Sequence, residues 1–117
     1  MNEPRRLDSL GAVEDKKPWG SVRGKVGKQE IMLDLRQRSG NAVAFAYSYL
    51  FSVLYNPSEG ITLEFGAAKA SIKGRNLRGL YEDLVNHAAT YVQEGDPRFD
   101  TGAENEPFVE EITVERG

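Results

Sequence analysis

The sequence predicts a small α+β domain: a strongly bent antiparallel sheet, or partly open barrel, of about five strands followed by one C-terminal amphipathic helix. Two observations predict it. Between Glu30 and Lys73, apolar and polar residues alternate in short runs broken by Gly, Pro and Asn, which is the period of half-buried strands. From Leu77 to Glu94 the apolar residues fall instead at helical spacing, on one stripe about five turns long.

Taken in order, Ile31, Leu33 and Leu35 alternate with Met32, Asp34 and Arg36. The turn signal Arg38-Ser39-Gly40-Asn41 leads to Val43, Phe45 and Tyr47, so these two runs are expected to form a hairpin. Tyr49 to Tyr55 is dense in β-formers and places Phe51, Val53 and Tyr55 on one face. Asn56-Pro57-Ser58-Glu59-Gly60 supplies a turn, because Pro fixes φ and Gly permits positive φ. Ile61, Leu63 and Phe65, then Ala70 and Ile72, complete an antiparallel meander.

The helical stripe is Leu77, Leu80, Tyr81, Leu84, Val85, Ala88, Tyr91 and Val92. Asn76 is the expected N-cap, Gly95 the expected residue past the C-terminus, and Pro97 blocks continuation. Three regions follow: a flexible arm over residues 1–28, a single domain over 29–95, and an acidic tail over 96–117 with a candidate edge strand at 108–114. The arm mixes charges, Pro4, Pro18 and several glycines with isolated apolar residues, too little to offset the entropy of ordering.

Composition narrows the function classes. The chain has 117 residues, a net charge of −3 and no cysteine, so disulfides and thiolate metal sites are excluded. No run approaches the length of a membrane helix and none near Met1 resembles a signal peptide, so the expectation is a cytoplasmic protein with no membrane partner. The charge is split. Residues 1–79 carry 13 Lys+Arg against 8 Asp+Glu, a balance of +5, whereas residues 80–117 carry 2 against 10, a balance of −8.

Catalytic and cofactor motifs fail on spacing. The glycines at 20, 24 and 27 do not match a phosphate loop, and Gln29 stands where that loop needs a hydroxyl. His87 is the single histidine and has no second ligand of its kind, so its expected role is structural. Asp96, Asp100, Glu104 and Glu106 lack the alternation of a calcium loop. No serine sits in a nucleophile-elbow context. The sequence therefore predicts no enzyme and no cofactor.

One short run stands out. Ile72-Lys73-Gly74-Arg75-Asn76-Leu77 resembles the second signature of Sm-like RNA-binding proteins, and Ile31-Met32-Leu33-Asp34-Leu35 with Gly40 looks like that family's first strand and following glycine. The resemblance implies a bent five-stranded barrel, ring assembly, and single-stranded RNA held near Lys73, Gly74, Arg75 and Asn76. The chain departs from the family at Tyr47-Ser48-Tyr49-Leu50, where an Asp and an Asn belong, and in placing its helix after the strands. Strands followed by one helix also look like a shortened pleckstrin-homology half-barrel. The leading expectation is a non-enzymatic binding or assembly module. It is expected to be a homo-oligomer or to take a protein or peptide partner, using the sheet edge or the aromatic face of Tyr47, Tyr49, Phe51 and Tyr55. Single-stranded RNA binding through Lys73–Asn76 is the alternative.

Overall fold

In the computed structural model, which describes the backbone of residues 14–17 and 20–23 together with residues 29–116, the strands form two sheets rather than one. In chain order they are β1 (Glu14–Lys17), β2 (Gly20–Arg23), β3 (Met32–Arg36), β4 (Ala42–Ala46), β5 (Leu50–Asn56), β6 (Gly60–Phe65) and β7 (Ala68–Arg75). A short helix, α1 (Arg78–Val85), precedes β8 (Ala89–Gln93) and β9 (Phe108–Arg116). The five-stranded sheet runs β1-β2-β8-β3-β4 and the four-stranded sheet runs β5-β6-β7-β9. All neighbours are antiparallel except β3 and β8, which pair parallel.

This corrects the expected five-stranded bent sheet or barrel with a C-terminal helix. The β3–β4 hairpin forms as the alternation predicts, with Leu33 opposite Phe45 and Leu35 opposite Val43. A 3-10 turn at Tyr47–Tyr49 then carries the chain from the edge of one sheet to the edge of the other. The meander β5-β6-β7 therefore never pairs with β4, and no barrel closes. Because the helix is neither long nor C-terminal, the likeness to a pleckstrin-homology half-barrel loses its basis as well.

The helix ends early for a physical reason. His87 takes φ 56, the left-handed position usually given to Gly. Its N–H donates to the Leu84 carbonyl at 3.1 Å and the Ala88 N–H to the Asp83 carbonyl at 2.8 Å, which closes a Schellman motif three residues after Leu84. His87 also stacks on Tyr47, with ring centroids 4.5 Å apart, and that contact helps hold the strained backbone. Beyond it the apolar stripe continues only by coincidence. Ala89 and Val92 are buried three residues apart because β8 carries an irregularity: Val22 opposes Ala89 and Ser21 opposes Tyr91, which leaves Thr90 as an extra residue. A bulged strand thus imitates a helix's i, i+3 spacing. Nor does Asn76 cap α1. It occupies the left-handed region at φ 57, and Leu77 holds the N-cap position.

Between the sheets lies one core. Leu33, Leu35, Leu63, Phe65, Ile72 and Ile112 are all at most 2% exposed, and α1 adds Leu77, Leu80 and Leu84. Phe45 stacks on Phe65 at 4.4 Å and Tyr55 on Tyr81 at 5.3 Å. The charge split along the chain also acquires a structural meaning. On the outer face of the second sheet, Lys69 of β7 stands opposite Glu115 of β9, and Lys73 stands opposite Glu111. Opposite charges facing each other across a ladder favour this register by up to about 1 kcal/mol each. The acidic tail is, in part, the strand that pairs with the basic one.

The expected flexible arm over residues 1–28 falls mostly outside the described residues. Within it, β1 and β2 form a hairpin whose second strand pairs with β8. No helix among the described residues is long and apolar enough to cross a membrane.

Candidate functional site

The Lys73–Asn76 run joins β7 to α1, and most of it is already engaged. Gly74 lies where β9 comes closest: a Cβ built there would sit 2.2 Å from the Phe108 carbonyl oxygen. Arg75 is ion-paired with Asp100 and lies over the Phe108 ring, its guanidinium carbon 5.2 Å from the centroid. The Asn76 side-chain amide donates to the carbonyls of Glu104 at 2.9 Å and Glu106 at 3.0 Å. Lys73 is exposed but faces Glu111 across the ladder. The loop at 96–107 therefore folds back over this turn and answers its charge.

That loop is organised by its own carboxylates. Asp96 accepts from the side chain and backbone N–H of Arg98, and these bonds hold its carboxyl at about 2, below the usual range. Arg75 lowers Asp100 in the same way, helped by the Gly102 N–H at 2.9 Å. Both folded-state values lie below the unfolded ones, so these contacts are fully formed above the unfolded carboxylate value and are lost as pH falls through the folded one. Acid titration followed by NMR is expected to leave the Arg98 amide unchanged above about pH 4 and to shift it as the pH falls toward 2, and to shift the Gly102 amide only below the ordinary aspartate value. An Arg98 amide that titrates with its midpoint at the ordinary aspartate value would contradict this.

The four aromatic residues expected to form one interaction surface are not on one surface. Tyr47 is 2% exposed, and its hydroxyl donates to the Ala89 carbonyl at 2.8 Å. Burial, with Glu30 and Asp83 nearby, pushes that phenol well above its ordinary value. Tyr55 is half-buried beside α1. Tyr49 and Phe51 are each 69% exposed. Phe51 leaves the expected face because β5 is bulged there: Leu50 opposes Phe65 and Ser52 opposes Glu64, so Phe51 has no partner of its own in the register.

The first sheet also presents an open edge, along β4. Each sheet has two edges, and edges are ordinarily protected by charge, by bulges or by cover. β1 reads Glu-Asp-Lys-Lys. β5 carries the bulge at Phe51. β9 carries Glu110, Glu111 and Glu115, and its outward backbone groups are met by side chains. The Ile112 N–H donates to Glu94 Oε2 at 2.7 Å, the Ile112 carbonyl accepts from Gln37 Nε2 at 2.7 Å, and the Glu110 carbonyl accepts from Arg38 at 3.3 Å. β4 reads Ala-Val-Ala-Phe-Ala, with no charge, proline or bulge, and no described strand pairs with its outer side.

The ladder shows which groups β4 presents. The Gln37 N–H donates to the Asn41 carbonyl and the Tyr47 N–H to the Ile31 carbonyl, so 37/41 and 31/47 are hydrogen-bonded pairs. Alternation then turns the backbone groups of Val43 and Phe45 toward β3, and those of Ala42, Ala44 and Ala46 outward, the Ala46 carbonyl accepting the first bond of the 3-10 turn at Tyr47–Tyr49. Beside this edge the two sheets part. One groove of about 620 Å3 is lined by Ala44, Phe45, Tyr49, Phe65 and the Gly66–Ala68 turn. A smaller groove of about 300 Å3 lies between Val43 and Leu35 on one side and Ile112 and Val114 on the other. Arg116 borders both, its guanidinium carbon 5.9 Å from the centre of the Phe45 ring.

The uncharged five-residue run from Ala42 to Ala46 was the visible signal. Its position at an edge was not, since that depends on β8 having inserted beside β3. Compared with protein-family models, with curated proteins and with solved structures, the chain shows no significant match.

Proposed function

We propose that this chain is a non-enzymatic protein-binding or assembly module that takes an extended segment of a partner along β4. The observation that carries the reading is the contrast among edges: among the described residues, three sheet edges carry protection and β4 carries none. Outward N–H and C=O groups of Ala42 and Ala44, with the Ala46 N–H, offer main-chain affinity. The adjoining apolar grooves offer pockets for alternate side chains. The absence of cysteine is in keeping with a cytoplasmic setting. The perturbed carboxylates do not call for catalysis, because Asp96 and Asp100 lie on an exposed loop and their shifts are explained by Arg98 and Arg75.

Selection of short random peptides displayed on phage tests this reading. Sequences with alternating apolar residues are expected to be enriched, and Ala44→Lys is expected to weaken their binding at least tenfold. The Ala44 side chain is exposed, so lysine fits there without disturbing the core. Peptides that bind the Ala44→Lys chain equally well would place the site elsewhere.

The single-stranded RNA reading has less support. Of the four residues it names, Arg75 is paired, Asn76 holds two carbonyls, Gly74 is filled against β9, and Lys73 faces a carboxylate.

A further inference from the structure

We infer that the partner at the β4 edge is a second copy of the same chain, paired antiparallel about a twofold axis through Ala44. The inference rests on β4 being the binding edge and names its occupant. The strand is complementary to itself in one register. Placing Ala44 opposite Ala44 of the second copy sets Ala42 opposite Ala46. All three outward-facing residues of each β4 then fall in hydrogen-bonded pairs, giving about four hydrogen bonds across the axis, since the Ala46 carbonyl already accepts within the 3-10 turn at Tyr47–Tyr49. A shift by one residue would set outward groups against inward ones. Shifts by two would leave one end of each strand beyond its mate. The same register places Val43 opposite Phe45 of the second copy, a β-branched and aromatic pair of the kind that stabilises antiparallel ladders.

Side chains and charge agree with this pairing. Val43 and Phe45 lie on the inner face, packed against the core but only half-buried, beside the grooves where the sheets part. A second β4 laid alongside would place its own Val43 and Phe45 over those grooves. On the outer face the contact is alanine against alanine, with no bulk to hold the backbones apart. The strand bears no charge, and the whole chain only −3, so repulsion between copies is weak. Tyr49 borders the larger groove and adds apolar area at both ends of the twofold pair.

Because the chain has no cysteine, a single introduced thiol reads the register directly. Opposite residues in a hydrogen-bonded antiparallel pair have Cα atoms about 5.5 Å apart, within reach of a disulfide. Ala44→Cys is therefore expected to oxidise almost completely to a covalent dimer. In the same register, position 42 lies about 14 Å from its own copy, so Ala42→Cys alone is expected to form no covalent cross-link under the same oxidation. The double variant Ala42→Cys with Ala46→Cys is expected to cross-link. Light scattering on the unmodified chain is expected to give twice the mass of one copy, and Ala44→Lys to return it to one with its circular dichroism unchanged. Equal cross-linking of Ala42→Cys and Ala44→Cys would overturn the register, as would a dimer that survives Ala44→Lys. A monomer at every concentration, with no Ala44→Cys product, would overturn self-pairing. If peptides selected on the chain still depended on Ala44 in that case, β4 would remain a binding edge for another protein. If that dependence were also absent, the edge reading itself would fall.

Discussion

Replacing Glu94 by Ala is expected to destabilise the fold by about 3 to 5 kcal/mol, the largest single effect predicted for this chain. The residue is 9% exposed, and its carboxylate joins three parts of the molecule. Oε1 accepts from the Arg38 N–H in the β3–β4 turn at 2.8 Å, and Oε2 accepts from the Ile112 N–H of β9 at 2.7 Å. The Arg38 guanidinium lies 3.9 Å from Oε1 and itself donates to the Gly95 carbonyl. Glu94's own N–H donates to the Arg36 carbonyl at 2.9 Å, continuing the parallel ladder. Alanine would keep that last bond and leave two other backbone donors without their acceptor, one of them on the buried Ile112. Hydrogen bonds to a charged acceptor contribute roughly 1.5 to 3 kcal/mol each, and an unmet buried donor is costly in its own right. Glu94→Gln retains one acceptor oxygen and is expected to lose about half as much. Urea unfolding of the parent and the two variants checks both the size and the order. Equal midpoints for the parent chain and the Glu94→Ala variant would show that Glu94 does not bridge the sheets.

Gly74→Ala is expected to cost about 3 kcal/mol and to lower the melting temperature by roughly 10 °C. The added methyl would lie 2.2 Å from the Phe108 carbonyl oxygen and 3.2 Å from Leu77 Cδ1. The obstacle at Phe108 is backbone, which no rotamer change relieves. β7 and β9 would have to separate at the irregularity that lies between Lys73 and Gly74. Gly66→Ala provides the control, because nothing lies within 4 Å of a Cβ there and its backbone is not left-handed. Thermal unfolding is expected to leave the Gly66 variant near the parent chain. A Gly74 variant that also melts like the parent would show that β9 does not press on this residue. The comparison further separates two roles for Gly74, since a glycine kept only to admit a nucleic acid would leave stability unchanged.

These residues show how far the sequence could be read. Period 2 located β3, β4, β6 and β7 because each buries one face, and side-chain alternation needs no knowledge of neighbours. Pairing was legible only between adjacent strands. Nothing in Ala89–Gln93 announces that it will insert beside β3 across more than fifty residues, and its extra residue at Thr90 disguises it as helix. The end of α1 was missed because His87 performs the turn that a glycine would have advertised. At Lys73–Asn76 the residue types suggested a ligand. The structure places Asp100, Glu104, Glu106 and Glu111 around them, and that proximity depends on where β9 docks. The uncharged Ala42–Ala46 run was equally plain in the sequence. What makes it a candidate surface is the protection found at every other edge.

The insertion of β8 between β2 and β3 sets the order in which the chain can mature. β3 and β4 emerge before β8, the neighbour that completes the first sheet, which follows more than fifty residues after β3, and the strand that supplies Val109 and Ile112 comes later still. Until β8 and β9 arrive, β3 has two open flanks to manage with one hairpin partner, and Leu33 and Leu35 lack part of their cover. Folding is thus dominated by distant contacts and belongs on the millisecond-to-second scale of all-β domains. During translation the Ala42–Ala46 strand is exposed before β8 and β9 are available to close the domain, which is when an uncharged strand edge is most open to wrong pairing.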